Sequence, residues 1–166
     1  MHIGITGSRT EPPSIQVDAA DGLIRGLAAF TPPDEETWIH QGCCVGFDLR
    51  MTHRFAGDPR FRICGHLPTD TTRMDPSILP LCDELMPAED YLSRDRKIVR
   101  HGTNYTVAGP KEYKQVKRGS GTWYTTLQSL LMRRETFLVF RGGEVAKAYL
   151  EGRSDIGWTY LTNALA

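Results

Sequence analysis

The sequence predicts an α/β protein in three layers, with a mostly parallel central sheet between two layers of helices. Two observations carry this. Short apolar, β-rich runs alternate with stretches of helical period along most of the chain, the pattern of strand–helix crossovers. Strands are also followed by loops rich in glycine and small polar residues, and right-handed crossovers bring such loops to one edge of the sheet. In folds of this kind ligands bind at the carboxyl ends of the strands, near the point where strand order reverses.

His2–Thr6 is the first expected strand, ending at Gly7-Ser8-Arg9-Thr10. Pro12-Pro13-Ser14 opens a helix over 15–29, with Ser14 as N-cap and Ile15, Ala19, Leu23, Leu27 and Phe30 on its buried face. Pro32-Pro33 stops it. Thr37–His40 is the second strand, followed by Gln41–Gly46 and a helix over 47–55 that buries Phe47, Met51 and Phe55. Phe61–Gly65 is the third strand. Four prolines keep 66–88 irregular, and a long loop in a compact domain is often functional. An arginine-rich helix spans 91–101, with Tyr91, Leu92 and Ile98 facing inward. Tyr105–Ala108 and Thr136–Phe140 are the fourth and fifth strands, with a helix over 124–134 between them. The apolar positions from Val145 to Leu161 read as one or two closing helices.

At 166 residues the chain suits a single domain over 1–166 with a proper core. Formal net charge is zero, which provides no general attraction to nucleic acid or anionic membrane. A nucleic-acid partner is therefore not expected. No apolar run approaches the roughly 20 residues of a membrane span, and no signal peptide is expected at the N-terminus. Cys43, Cys44, Cys64 and Cys82 form no C-x-x-C pair and have no histidine at zinc-type spacing. They read as reduced thiols of a cytoplasmic protein, and neither a metal nor a cofactor is expected.

The chain is organised around Lys117-Arg118-Gly119-Ser120-Gly121-Thr122-Trp123. Glycine permits a close backbone approach, and a following helix presents unpaired N–H groups and its positive dipole end, an arrangement suited to phosphate. Thr122 offers a hydroxyl, and Lys117 or Arg118 a charge. Gly7, Ser8 and Arg9 after the first strand offer a second anion loop, in which the guanidinium suits bidentate binding. Gly42 and Gly46 allow close backbone approach to a sugar or a tight turn. Gly119, Ser120, Gly121 and Thr122 hold the phosphate in this reading, Ser8 and Arg9 close over it, and Gly42–Gly46 form the floor for the sugar.

Four blocks resemble the SLOG superfamily, Rossmann-like proteins that include the "lonely guy" (LOG) phosphoribohydrolases and the DNA-processing DprA-like proteins. They are Ile5-Thr6-Gly7-Ser8-Arg9, the run from His40 to Asp48 ending in Gly46-Phe47-Asp48, Arg94-Asp95-Arg96-Lys97, and Gly119-Ser120-Gly121-Thr122. The likeness is greatest to a group of bacterial and phage members of undetermined function. It implies a Rossmann-like three-layer sandwich, a nucleotide or ribose-phosphate ligand and a homodimer. In the phosphoribohydrolases the arginine of the Arg-Lys motif and a glutamate three residues after Gly-Thr form the catalytic pair. Arg96 matches the first. The second falls on Thr125, which cannot serve as a carboxylate acid or base near neutral pH. The resemblance therefore implies binding of such a ligand, with N-glycosidic hydrolysis as the alternative if Asp48, Asp70 or Glu112 supplies the carboxylate.

Several residues carry two readings. Asp48 bonds a ribose hydroxyl or caps its helix. Arg94 and Arg96 lie two apart and do not share a helix face, so one of them reaches the ligand, and the motif selects Arg96. Trp123 stacks on a base or anchors the core. His40 and His66 are structural or catalytic. Cys43 stands near a possible helix N-terminus, which lowers a thiol pKa, yet it has no paired base. Trp158 and Tyr160 are candidates for a dimer interface.

Overall fold

Isoleucines at alternate positions build the sheet and one of its faces. Ile3 and Ile5 on β1 (His2–Gly7), Ile39 on β2 (Thr37–Gln41) and Ile63 on β3 (Phe61–Pro68) are all buried. They pack on Val17, Ala20 and Ile24 of helix α1 (Ser14–Ala28) and on Phe47, Met51 and Phe55 of α2 (Phe47–Phe55). The computed structural model describes residues 1–114, 119–150 and 158–162, the last stretch as backbone alone. The remaining elements are β4 (Glu84–Glu89), α3 (Tyr91–His101), β5 (Tyr105–Gly109), α4 (Gly121–Leu131), β6 (Glu135–Val139), β7 (Val145–Leu150) and β8 (Trp158–Thr162).

The strands run in the order β4-β3-β2-β1-β5-β6-β7-β8. Pairings from β4 through to β6 are parallel, and β7 and β8 are added antiparallel. Helices α1 and α2 cover one face, and α3 and α4 the other. The protein is thus a Rossmann-like three-layer sandwich with a mostly parallel central sheet. Chain order moves outward from β1 to β4, then α3 carries the chain back over β1 to start β5 on its other side. The order reverses between β1 and β5, which makes that edge the expected ligand crevice. Helix α3 sits low on β1 because both contacts are glycine: a Cβ on Gly4 would meet the Ile98 carbonyl oxygen at 3.2 Å, and one on Gly102 would meet the Gly4 nitrogen at 2.4 Å.

The structure corrects several expectations. The segment after Gly142-Gly143 forms strands, not closing helices. Ala146 and Ala148 are buried while Lys147 between them is not, a period of two. Gly143, at φ +88, completes the turn, and Phe140 N–H donates to the Glu144 carbonyl at 2.9 Å. The irregular stretch contains β4, an edge strand, where Pro87 costs no ladder bond. Helix α1 begins at Ser14, with Pro13 in the N-cap position, and its buried face centres on Val17, Ala20 and Ile24. Ile15 is exposed within the helix, and Phe30 is exposed because it lies past the helix end. Helix α4 starts at Gly121, three residues early, capped by the Ser120 hydroxyl, which accepts from Trp123 N–H. Trp123 is buried with Leu130, Leu138 and Phe140, which makes it a core anchor. The Trp158 and Tyr160 side chains lie outside the described residues.

Beneath α3 the sheet carries histidines. His40 Nδ1 lies 3.2 Å from His66 Nε2, and His40 Nε2 lies 2.9 Å from His2 Nδ1. Burial, with neighbouring histidine rings adding to it, lowers His40 and His66 to about 3. In the unfolded chain both titrate near 6.5. Below that pH the unfolded chain takes up protons that the folded protein refuses, so this contribution to stability is lost as pH falls from about 6.5 toward 3. Urea unfolding of metal-free wild type and metal-free His66→Gln across this range checks it. The wild type should lose about 1.4 kcal/mol per pH unit more than the variant. Parallel pH profiles would refute it.

Candidate functional site

The cleft opens where the chain leaves β1 and β5 and enters α4. It has a volume of about 290 Å³, and its walls come from Thr6–Thr10, Lys111-Glu112 and Gly119–Thr122, with Cys44, Asp48, Arg94 and Asp95 at its base. The loop after β1 is held on two sides. Ser8 N–H donates to the Gly109 carbonyl at 2.9 Å, and the Ser8 carbonyl accepts from Phe47 N–H at 3.0 Å. The Ser8 hydroxyl accepts from Thr10 N–H at 3.1 Å, which closes the loop into a local turn. Arg9 extends over Tyr91, its guanidinium carbon 5.0 Å from the ring centroid. Opposite, Gly121 and Thr122 form the first turn of α4, where a helix leaves its N–H groups without acceptors of its own. Gly119, at φ +78, reverses the chain into that turn and has open space around it.

The base of the cleft is a buried charge cluster. Arg94 Nη1 donates to the Gly42 carbonyl at 2.7 Å, and the guanidinium stands 3.7 Å from Cys44 Sγ. Its Nε faces Asp95 Oδ1 at 3.1 Å without an aligned hydrogen bond. Asp48 Oδ2 accepts from Gly42 N–H at 3.2 Å, while Asp48 Oδ1 has no partner among the described residues. Burial raises Asp48 to about 6; nearby Asp95 adds to the rise, and Arg94 opposes it. Burial also raises Asp95 to about 6, against the pull of Arg94 and the Thr125 hydroxyl. One cation thus serves two buried carboxyl groups, and burial holds both near 6, so that a fraction of each keeps its proton close to neutral pH.

The structure gathers some of the expected residues and separates others. Gly7, Ser8, Arg9, Gly119, Ser120, Gly121 and Thr122 share one cleft. Lys117 and Arg118 lie outside the described residues. Arg96 does not reach the cleft: it is exposed on α3, with its Nε donating to the Leu92 carbonyl at 3.3 Å. Arg94 and Asp95 reach it instead, because they stand four and three residues before buried Ile98 and share its face. That signal was present in the sequence, where Ile98 marks the inward face. Gly42 and Gly46 do not line the cleft and form no floor for a sugar. They make room for protein groups: a Cβ on Gly42 would fall 1.4 Å from Arg94 Nη1, and one on Gly46 2.4 Å from the Ser8 carbonyl oxygen. Asp48 caps nothing, since α2 has no side-chain cap. Asp70 caps a short 3₁₀ turn, accepting from Thr72 N–H, and does not line the cleft. Thr125 is buried and donates to the Gly121 carbonyl at 2.8 Å. Cys43 is buried, and its thiol is pushed far above the usual range, by a hydrogen bond with Cys82 first and by burial second. This excludes it as a ready nucleophile.

A second hollow of about 320 Å³ adjoins the first, sharing Arg9, Asp95 and Gly119–Gly121 and continuing along Tyr91, Leu92, Trp123, Tyr124 and Leu127. The first hollow is charged and bordered by a helix N-terminus; the second is lined largely by aromatic and aliphatic carbon. Fold and cleft together define an α/β protein of Rossmann-like build with a polar hollow at the topological switch point. Comparisons with protein-family models, with curated proteins and with solved structures find no match to the chain. Among the described residues no helix is long and apolar enough to cross a membrane.

Proposed function

We propose that the protein binds a nucleotide or other ribose-phosphate ligand in this composite cleft. The observation that carries the reading is the convergence of Arg9, Arg94 and the first turn of α4 on one polar hollow that opens into an aromatic-lined one. Phosphate belongs at the α4 N-terminus, with Arg9 donating from above and Arg94 lending charge from below. The base belongs along Tyr91 and Tyr124, where a flat ring finds apolar surface. Asp48, whose Oδ1 has no hydrogen-bond partner among the described residues, and Asp95 line the polar hollow and, when protonated, would donate a hydrogen bond to the sugar.

A second reading, N-glycosidic hydrolysis, is favoured by one observation. Asp95 lies against Thr125, the position at which the resembling hydrolases carry their glutamate. A carboxyl group near pKa 6 suits general acid–base work at neutral pH. Homodimerisation belongs with the same resemblance, and sedimentation of the full chain would test it; a cytoplasmic setting rests on the reading of the four cysteines as reduced thiols.

The test is mass spectrometry of the purified protein incubated with a panel of nucleoside phosphates and NAD-type dinucleotides, following retained ligand and released base. Retained, intact ligand supports binding. Release of free base, lost in Asp95→Asn, supports hydrolysis. Gly121→Asp places a carboxylate at the helix N-terminus, from a Cβ only 3.3 Å from Asp95 Oδ2, and should abolish retention. Arg96→Ala should leave retention unchanged. If wild type and Gly121→Asp behave alike, the site is wrong. An arriving phosphate also raises both carboxyl pKa values further, so binding near pH 6.5 should take up protons. Calorimetry in two buffers of different ionisation enthalpy measures this, and equal heats would count against the geometry.

A further inference from the structure

The histidine cluster beneath α3 is unrelated to the cleft and has a chemistry of its own. His40 on β2 and Cys64 on β3 are register partners, and His66 follows two residues along the same face. Their donor atoms, two imidazole nitrogens and one sulfur, all lie within 4.8 Å of one another, and all three residues are buried. We propose that His40, Cys64 and His66 form a zinc site with two nitrogen ligands and one thiolate.

The spacing fits the ion. With Zn–N near 2.05 Å and Zn–S near 2.3 Å, a tetrahedral site needs about 3.3 Å between nitrogens and about 3.6 Å between nitrogen and sulfur. His40 Nδ1 and His66 Nε2 are 3.2 Å apart, and Cys64 Sγ and His66 Nε2 are 3.8 Å apart. These two edges agree to within a few tenths of an ångström, and the third, between His40 and Cys64, lies within 4.8 Å. A nitrogen and thiolate set favours zinc over magnesium or calcium, which take oxygen. The His40 ring already has the outer partner that metal-bound histidines use. If Nδ1 binds the ion, Nε2–H donates to His2 Nδ1, 2.9 Å away. Both histidines are held neutral by burial, as ligation requires. The Cys64 thiol, pushed up to about 12 by burial, gives its proton to solvent when the ion binds. His40 and Cys64 border an open hollow of about 470 Å³ that reaches the surface past His101 and Glu84. It offers an entry path and leaves the fourth coordination position to water or an added ligand.

The full-length protein, stripped with chelator, is titrated with Co²⁺ and then with Zn²⁺ against a chromophoric chelator. One equivalent of cobalt with a thiolate-to-cobalt charge-transfer band, displaced by zinc, is expected. Cys64→Ser should abolish the band, and Cys82→Ser should keep it. His2→Ala, which alters only the outer partner, should weaken zinc binding by about 10–100-fold. Folded wild-type protein that shows no thiolate band and surrenders zinc at once overturns the proposal. So does a band that survives Cys64→Ser or vanishes in Cys82→Ser.

Discussion

Replacing Arg94 by methionine is expected to cost about 3–5 kcal/mol of unfolding free energy at pH 7, the penalty for leaving a buried ion pair half-broken. Arg94 is almost wholly buried and is the cation nearest both Asp48 and Asp95. Methionine fills a similar volume but leaves two carboxyl groups without a counter-charge. The loss should depend on pH in a defined direction. Folded-state pKa values of the two carboxyls, already about 6, rise further without Arg94, whereas in the unfolded chain they stay near 4. Below about pH 4 both states hold the protons and the penalty disappears; it grows as pH rises through 6. Urea denaturation at pH 4.5 and pH 7.5 reads both numbers. A penalty under about 1 kcal/mol at pH 7.5 would mean that the cluster is screened by water. The same variant should weaken phosphate-ligand binding at least tenfold, since a charge-assisted contact is worth about 1.5–3 kcal/mol.

Gly46→Val is expected to be the most damaging single change to the cleft. Gly46 has φ +82, a conformation costly for a β-branched residue, and its Cβ would stand 2.4 Å from the Ser8 carbonyl oxygen and 2.8 Å from Arg9 Cα. Both obstacles are backbone, so no rotamer change relieves them. The Ser8-Arg9 loop must move, and with it the bond from Phe47 N–H to Ser8 that joins the loop to α2. A loss of at least about 3 kcal/mol is expected from strain and overpacking together, with ligand binding abolished. Gly57→Ala is the control, because Gly57 has φ +81 but open space around it. It should cost only the backbone term, about 1 kcal/mol. Equal losses in the two variants would show that close packing at Gly46 contributes nothing.

Much of the fold could be read from local pattern. Ile3, Ile5, Phe47, Met51 and Phe55 announce their buried faces by period alone, and tertiary packing leaves them where the period puts them. The last strands were hidden because Val145–Leu150 contains alanines and a lysine, compatible with either period. Only pairing with β6 makes it a strand. β4 was hidden by its proline and by exposure along most of its length, which leaves no hydrophobic period to read.

By itself the sequence determined the three-layer α/β build and two of the loops that meet in the cleft, Gly7–Thr10 and Gly119–Thr122. Both are local properties: strand period, helix period, and glycine at a turn before a helix. Tertiary structure alone decided which charges stand behind those loops. The phase of α3 is set by Gly4, Gly102 and Ile98 packing on β1, and that phase turns Arg94 and Asp95 inward and Arg96 out. It likewise decided that His40, Cys64 and His66 share one buried point, because strand register between β2 and β3 is a long-range choice. A chain announces its periods locally, but the neighbours of a buried charge are fixed only when distant segments pack.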